Sequence, residues 1–221
     1  MRYISHLDTM RFFQKALRRA EADVAMSEGF SPHMLMSFAL PLSLGMTSIG
    51  EYFDLDVRSV NSTKELAKKL SEQTGRDVQI LSVKVIPEEK AYKCMTQVEA
   101  ADYTVVPYRE DGTVLDTDSE ETKEMIRAFL EQDQICIVKK TKKKETQMNI
   151  RPLIFSFTAD KEGLHLRLKA GSTDHIKCIV VMEQFAEFTG LAVDTFDIRR
   201  DELLLKTNKG FAPLSSVGEE K

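Results

Sequence analysis

Along residues 5–22 the apolar side chains Leu7, Met10, Phe13, Leu17 and Ala20 recur every three or four positions, while Arg11, Lys15 and Arg18 share another face. That period is helical, and Ser5 stands where an N-cap belongs. Gly29, Pro32 and Pro41 interrupt the chain before and within the apolar run 34–44, and 45–50 reads as a turn. Strict alternation over 51–57 sets Phe53, Leu55 and Val57 against Tyr52, Asp54 and Asp56, as in a half-buried strand. Ser62-Thr-Lys-Glu65 has the form of a capping box for a helix that stops at Thr74-Gly75. Residues 78–86 then predict a strand with Leu81, Val83 and Val85 inward.

The second half repeats the scheme. Residues 98–106 read as a strand, and Asp118-x-x-Glu121 caps a helix whose Met125, Ile126, Phe129 and Leu130 face a core. An apolar and then basic strand covers 135–144, and 139–149 is either a basic hairpin arm or a solvated loop, since a charge run fits both. Residues 147–157 and 163–169 are strand-like, the latter alternating Leu164, Leu166 and Leu168 with His165, Arg167 and Lys169. Ser172-Thr173 opens a helix that stops at Thr189-Gly190, and 193–205 is a last strand.

Each half approximates β-α-β-β-α-β, so the predicted class is α+β, with tandem ferredoxin-like units and largely antiparallel sheets. The first strand of the first unit is missing, because residues 1–4 are too few to cross a sheet. Either a strand is encoded upstream of this start, or the first sheet has an uncovered edge. The polar break at 87–92 puts a boundary near residue 90, giving an N-terminal half 1–90, a C-terminal half 91–207 with the basic hairpin, and a loose tail 208–221.

Composition narrows the function classes. A net charge of -4 argues against wholesale coating of nucleic acid but permits a local basic face. Residues 2–19 hold five basic side chains against Asp8, and 139–151 hold six against Glu145. Cys94, Cys136 and Cys178 lack the C-x-x-C spacing of zinc or iron–sulfur sites, so reduced thiols are expected and no metal. No apolar stretch approaches the ~20 residues that span a bilayer, and no signal-peptide core opens the chain, so the expectation is a cytoplasmic protein without a membrane partner. Phosphate-cradling and nucleophile-elbow motifs are absent, and no cofactor is expected.

Two polar clusters carry the candidate chemistry. Ser5, His6 and Asp8 open the first helix, and Ser31 and His33 lie in the Gly/Pro-punctuated loop. If the fold draws them together they form a specificity cleft, with His6 and His33 as the alternative catalytic pair, since imidazole titrates near neutrality. Against catalysis, no third group stands at a fixed spacing. Arg11, Lys15, Arg18 and Arg19 make a cationic helical stripe suited to phosphates, and Lys142, Lys143 and Lys144 add a second basic element, with His165, Arg167 and Lys169 beside it.

The stretches Arg2-Tyr-Ile-Ser-His-Leu-Asp8, Ala16-Leu-Arg-Arg-Ala20, Ser27-x-Gly-Phe-Ser-Pro-His33, Ser37-Phe-Ala-Leu-Pro-Leu42 with Gly45, Glu51-Tyr-Phe-Asp54, Asn149-Ile-Arg-Pro152 and Ala170-Gly-Ser172 together resemble the radical-SAM-associated bacterial proteins of unknown function. The resemblance covers nearly the whole chain. It implies a small cytoplasmic accessory protein acting with a separately encoded radical-SAM enzyme, and a first strand ahead of the opening motif. The radical-SAM chemistry itself then belongs to another chain, because Cys-x-x-x-Cys-x-x-Cys is absent here. In architecture alone, tandem ferredoxin-like units also look like CRISPR RNA-processing endoribonucleases. The expected function is therefore non-catalytic: recognition of a structured RNA, or an accessory role on its complex with a radical-SAM modification enzyme. A metal-independent endoribonuclease and a pure protein–protein adaptor are the alternatives.

Overall fold

Helix α1 (His6–Arg19) begins where the apolar period begins, and the Ser5 hydroxyl oxygen accepts the Asp8 N–H at 3.2 Å. One of the amide donors left open at a helix start is thereby satisfied. A computed structural model describes residues 2–140, 145–172 and 174–221. They divide into two units, one of Met1–Thr47, Glu51–Val98 and Leu205–Lys221, the other of Ser48–Gly50 and Glu99–Leu204.

In the first unit the apolar face of α1 packs on a short hairpin and a second helix. Ala16 and Leu17 are wholly buried, and with Ala20, Val24, Met34 and Leu70 they form the core. Each such leucine contributes roughly 1.5–3 kcal/mol by leaving water. After α1 the chain doubles back, the Leu35 N–H bonding the Ala25 carbonyl and the Ala25 N–H bonding that of Asp56. Strands β1 (Met36–Phe38), β2 (Thr47–Ser48) and β3 (Phe53–Leu55) follow; β1 and β3 pair antiparallel, Met36 opposite Leu55. Helix α2 (Thr63–Thr74) starts on the Ser62 cap, packs on α1 and stops at Gly75 with φ 73°.

Several expectations fail in this unit. Asp54, placed on the wet face by alternation, is buried, and its carboxylate accepts the N–H of Cys94 at the start of the short helix α3 (Cys94–Gln97). Lys93 pairs with Asp56 at 2.6 Å, so residues 87–98 fold back onto the first unit and the boundary falls at Val98/Glu99, not near 90. Residues 78–86 do not form the predicted strand. The Thr74 and Ser71 hydroxyls take the Val78 and Ile80 carbonyls, only Val85 makes a bridge, to Glu219, and Leu81 is 79% exposed. Alternation marks a strand only if a neighbour supplies the ladder.

Nor is the tail loose. After the strand Thr195–Thr207 come a further short strand, Gly210–Pro213, and a 3₁₀ turn that buries Leu214, and the Lys221 backbone is held by Thr63. Gly218, at φ 81°, lies so close to Val85 that an added Cβ would stand 2.6 Å from its carbonyl oxygen, so glycine is required there. A second ferredoxin-like unit is therefore not what residues 1–98 build; among the described residues, the strands of this stretch that pair with each other are β1 and β3, beside isolated bridges.

The second unit runs β4 (Ala100–Tyr108), α4 (Glu120–Glu131), β5 (Cys136–Lys140), β6 (Glu145–Asn149), β7 (Ile154–Asp160), β8 (Gly163–Lys169), α5 (Cys178–Thr189) and β9 (Thr195–Thr207), with β10 (Gly210–Pro213) returning to the first unit. The sheet order β9-β4-β8-β7 is antiparallel throughout, a β-α-β-β-α-β path with one insertion, the β5–β6 hairpin. Leu164, Leu166 and Leu168 point inward as their alternation requires. On that side Phe129 of α4 meets Phe157 and Phe185 edge-on, which joins both helices to one sheet face. The predicted cap shifts by one residue, to Ser119, whose oxygen accepts the Thr122 N–H, while Asp118 pairs with Lys123. Helix α5 starts at Cys178 instead of 172–173, of which Thr173 lies outside the described residues. The chain is thus a mixed α+β protein with antiparallel pairing, and no helix among the described residues is long and apolar enough to cross a membrane.

Candidate functional site

The two opening motifs meet in the first unit through backbone and guanidinium. The Gly45 N–H donates to the Arg2 carbonyl at 3.0 Å, and the Arg2 Nε–H donates to the Gly45 carbonyl at 2.7 Å. The same guanidinium lies 5.7 Å from the centre of the Tyr3 ring. Ser5 and Asp8 are engaged with each other, the Ser5 hydroxyl donating to the Asp8 carboxylate at 2.7 Å, and Arg11 donates to its other oxygen at 2.9 Å. The Ser5 hydrogen bond and then Arg11 hold the Asp8 carboxyl below the usual carboxylate range.

The imidazoles have separate partners. His6 sits edge-on to Phe38, 5.2 Å between centroids, at the margin of the Phe13, Phe38 and Phe53 cluster. His33 closes its own loop: the Ser27 N–H donates to the His33 carbonyl at 2.8 Å, the His33 N–H to Ser27 Oγ at 3.0 Å, and Nδ1 lies 2.8 Å from that oxygen. The two rings share neither a hydrogen bond nor a ring contact. Ser31 is exposed in the same loop, whose tip raises Phe30 to full exposure. Ser27, closing partner of His33, was legible only as a hydroxyl residue six positions ahead of an imidazole.

The cationic stripe is partly spent on structure. Arg11 serves Asp8, and Arg19 spans to the end of α2, donating to the Gln73 carbonyl at 2.7 Å and to its side chain at 3.2 Å. Lys15 and Arg18 remain exposed. Lys142, Lys143 and Lys144 lie outside the described residues.

In the second unit the basic row of β8 faces acids. His165 Nε2 lies 2.8 Å from Asp160, Arg167 makes a two-pronged pair with Asp102 at 2.7 and 2.8 Å, and Lys169 pairs with Glu99. Thr104 donates to Asp201 at 2.6 Å, and Arg199 pairs with the other oxygen of that carboxylate. The hydrogen bond from His165 draws Asp160 below its ordinary range, and Asp102 raises Arg167 above its own. This is a compensated lattice, so His165, Arg167 and Lys169 are not the second basic surface their spacing suggests. The Asn149-Ile-Arg-Pro152 motif is likewise structural: Asn149 Oδ1 accepts the N–H groups of Ile135 and Arg151, and Arg151 Nε donates to the Leu130 carbonyl near the end of α4.

A depression of about 380 Å³ in the second unit, lined by Leu115, Asp116, Thr117 and Lys161 among others, contains none of the candidate residues. Among the described residues no group of three or more His, Cys, Asp and Glu side chains could hold a metal ion.

These observations define an α+β protein whose polar motif residues are tied to neighbouring groups at the surface, beside the exposed side chains of Tyr3, Leu7 and Phe30. The chain belongs to the bacterial family described as "Uncharacterized protein conserved in bacteria (DUF2344)", whose model matches residues 1–179. No curated protein matches it.

Proposed function

We propose that the chain is a non-catalytic accessory protein of the cytoplasm that docks through its opening motifs onto a separately encoded radical-SAM enzyme. The observation that carries this reading is an inversion of what an active site requires. In a reactive site polar side chains converge around an open space and apolar ones support them. Here Arg2, Ser5, Asp8 and His33 are each bound to neighbouring groups, while Tyr3, Leu7 and Phe30 are exposed at 76%, 57% and 109%. Exposed aromatic and apolar side chains held on ordered backbone are the usual anchors of protein interfaces. The resemblance of the motifs to radical-SAM-associated proteins supplies the partner class, and three unpaired thiols suit a reducing compartment. The test is co-purification of the tagged full chain with the radical-SAM protein encoded beside it, from nuclease-treated extract. Loss of the pair after nuclease treatment counts against direct docking.

A second reading, recognition of a structured RNA, is favoured by one observation: Lys15 and Arg18 stand exposed on one helix. It requires steep salt dependence, about 0.7 to 0.9 in logarithmic slope for each neutralised phosphate. The endoribonuclease alternative has less support, since each imidazole is held by a different partner; discrete RNA cleavage abolished in His6→Ala or His33→Ala would restore it.

A further inference from the structure

We infer that Phe30 is an anchor that inserts into an apolar pocket, rimmed by basic side chains, on a partner protein. The inference rests on the accessory reading above and names the contact that reading needs. Its first support is the construction of the loop. Residues 27–33 are closed by the three Ser27–His33 hydrogen bonds and, immediately below, by the Met26–Met34 bridge. Gly29 adopts φ 102°, which favours glycine, and Pro32 has its φ set by its ring. The segment is thus ordered by its own bonds before anything binds it. At its tip Phe30 is as exposed as a side chain can be, and with no Cβ at Gly29 and nothing within 4 Å of where one would stand, neighbouring backbone does not shield it.

That arrangement is costly in isolation and useful on docking. A phenylalanine ring buries on the order of 150–250 Å² when it enters a pocket. Association elsewhere loses affinity to the ordering of side chains and loops, and here the loop is already in place.

Charge decides between a nucleobase and a protein pocket. Between Ala20 and Val57 the sequence holds neither lysine nor arginine, and with Asp54 buried and Asp56 paired with Lys93, the charge carried by the 27–33 loop itself is that of Glu28. Glu28 is exposed two residues from Phe30. A base stacked on this ring would bring its own phosphate toward that carboxylate, whereas stacking platforms for single strands sit in positively charged grooves. A protein pocket carries no such penalty, and a rim of lysine or arginine gains from Glu28.

The experiment places p-benzoylphenylalanine at position 30 of the full chain, with the same substitution at exposed Phe188 of the second unit as control, and irradiates cells expressing each. The expected result is a protein adduct at 30 that is absent at 188. With that protein purified, Phe30→Ala weakens its binding about 30-fold or more, as for interface anchors, without changing the melting temperature, and Phe30→Leu keeps most of the affinity. Glu28→Lys weakens binding about tenfold. Adducts to nucleic acid, no adduct beyond the Phe188 control, or binding of the captured protein unchanged in Phe30→Ala each overturn the assignment. If the captured protein passes these tests but is not a radical-SAM enzyme, the proposed partner class fails and the Phe30 anchor stands. If the radical-SAM enzyme binds the chain equally well after Phe30→Ala, the anchor fails and the accessory role stands.

Discussion

The Asp54 carboxylate accepts the Cys94 N–H at 2.9 Å, so a side chain on β3 closes the start of a helix forty residues further along the chain. Burial first, and then the hydrogen bond and charge of Asp54, push the Cys94 thiol up to about 12. At pH 8 Cys94 should therefore react with a thiol reagent far more slowly than exposed Cys136, and Cys178, buried and also pushed up, should react only on unfolding. Asp54→Asn removes the charge and should speed Cys94 labelling several-fold. Asp54→Ala leaves the amide without its acceptor and should cost about 1–3 kcal/mol in urea unfolding. A thiol whose folded value is raised contributes stability that is complete below its ordinary value of 9.0 and is lost as pH climbs toward 12. The urea midpoint should accordingly fall between pH 8.5 and 10.5 by more in wild type than in Cys94→Ala.

Thr63, 1% exposed at the first position of α2, ties down Lys221 three times. Its N–H and hydroxyl donate to the Lys221 carbonyl at 2.9 and 3.1 Å, and the Lys221 N–H donates back to the hydroxyl oxygen at 2.9 Å. Thr63→Val keeps the shape and loses the two hydroxyl bonds, at a cost of about 1–3 kcal/mol. Trypsin should then cut at Lys206 or Lys209 in the variant under conditions that leave wild type intact; equal cutting in both would contradict the clamp.

What the residues disclosed in advance, and what they did not, follows the range of each interaction. Helix α1 was legible because Ser5, Asp8 and the apolar period lie within one segment, and β8 because alternation of leucine with charge is local. The tail was not, since nothing near residue 221 points to Thr63, 158 positions away. Residues 78–86 look like a strand by composition, but side chains of the preceding helix took two of the carbonyls a ladder would have used. At the candidate site the same limit applies. His6 and His33 were legible as polar motif residues, while the partners that hold them apart, Phe38 and Ser27, emerge only from the fold.

The charges of β8 show the limit most plainly, because Asp102 and Glu99, which neutralise Arg167 and Lys169, lie 65 and 70 residues upstream. If the chain binds RNA, Arg167→Glu should leave the affinity unchanged, whereas Lys15→Glu with Arg18→Glu should weaken it and reduce the salt slope by about 0.7 to 0.9 for each lost contact. The Arg167–Asp102 pair is half-exposed, so a double-mutant cycle to alanine should find a coupling of only about 1 kcal/mol in stability. A large loss of RNA affinity in Arg167→Glu would mean that the lattice opens to receive phosphate.

His33 acts on the Phe30 loop from a distance, and its effect separates from that of the anchor itself. Removing the imidazole in His33→Ala leaves the two backbone bonds to Ser27 but deletes the 2.8 Å contact at Nδ1. Ser27→Ala deletes that contact and the 3.0 Å acceptor for the His33 amide together. Amide hydrogen exchange across 28–32 should therefore rise in the order wild type, His33→Ala, Ser27→Ala, and partner binding should weaken in the same order. Re-ordering a freed side chain or loop segment on docking costs about 0.5–1.5 kcal/mol, which corresponds to roughly 2- to 13-fold in affinity, less than the loss expected from Phe30→Ala. His33→Asn offers a hydrogen-bonding atom at a similar reach from the backbone and should restore both readouts in part. If His33 acted instead as a proton donor or acceptor on a substrate, Asn would rescue neither, and exchange in the loop would stay at the wild-type level in His33→Ala.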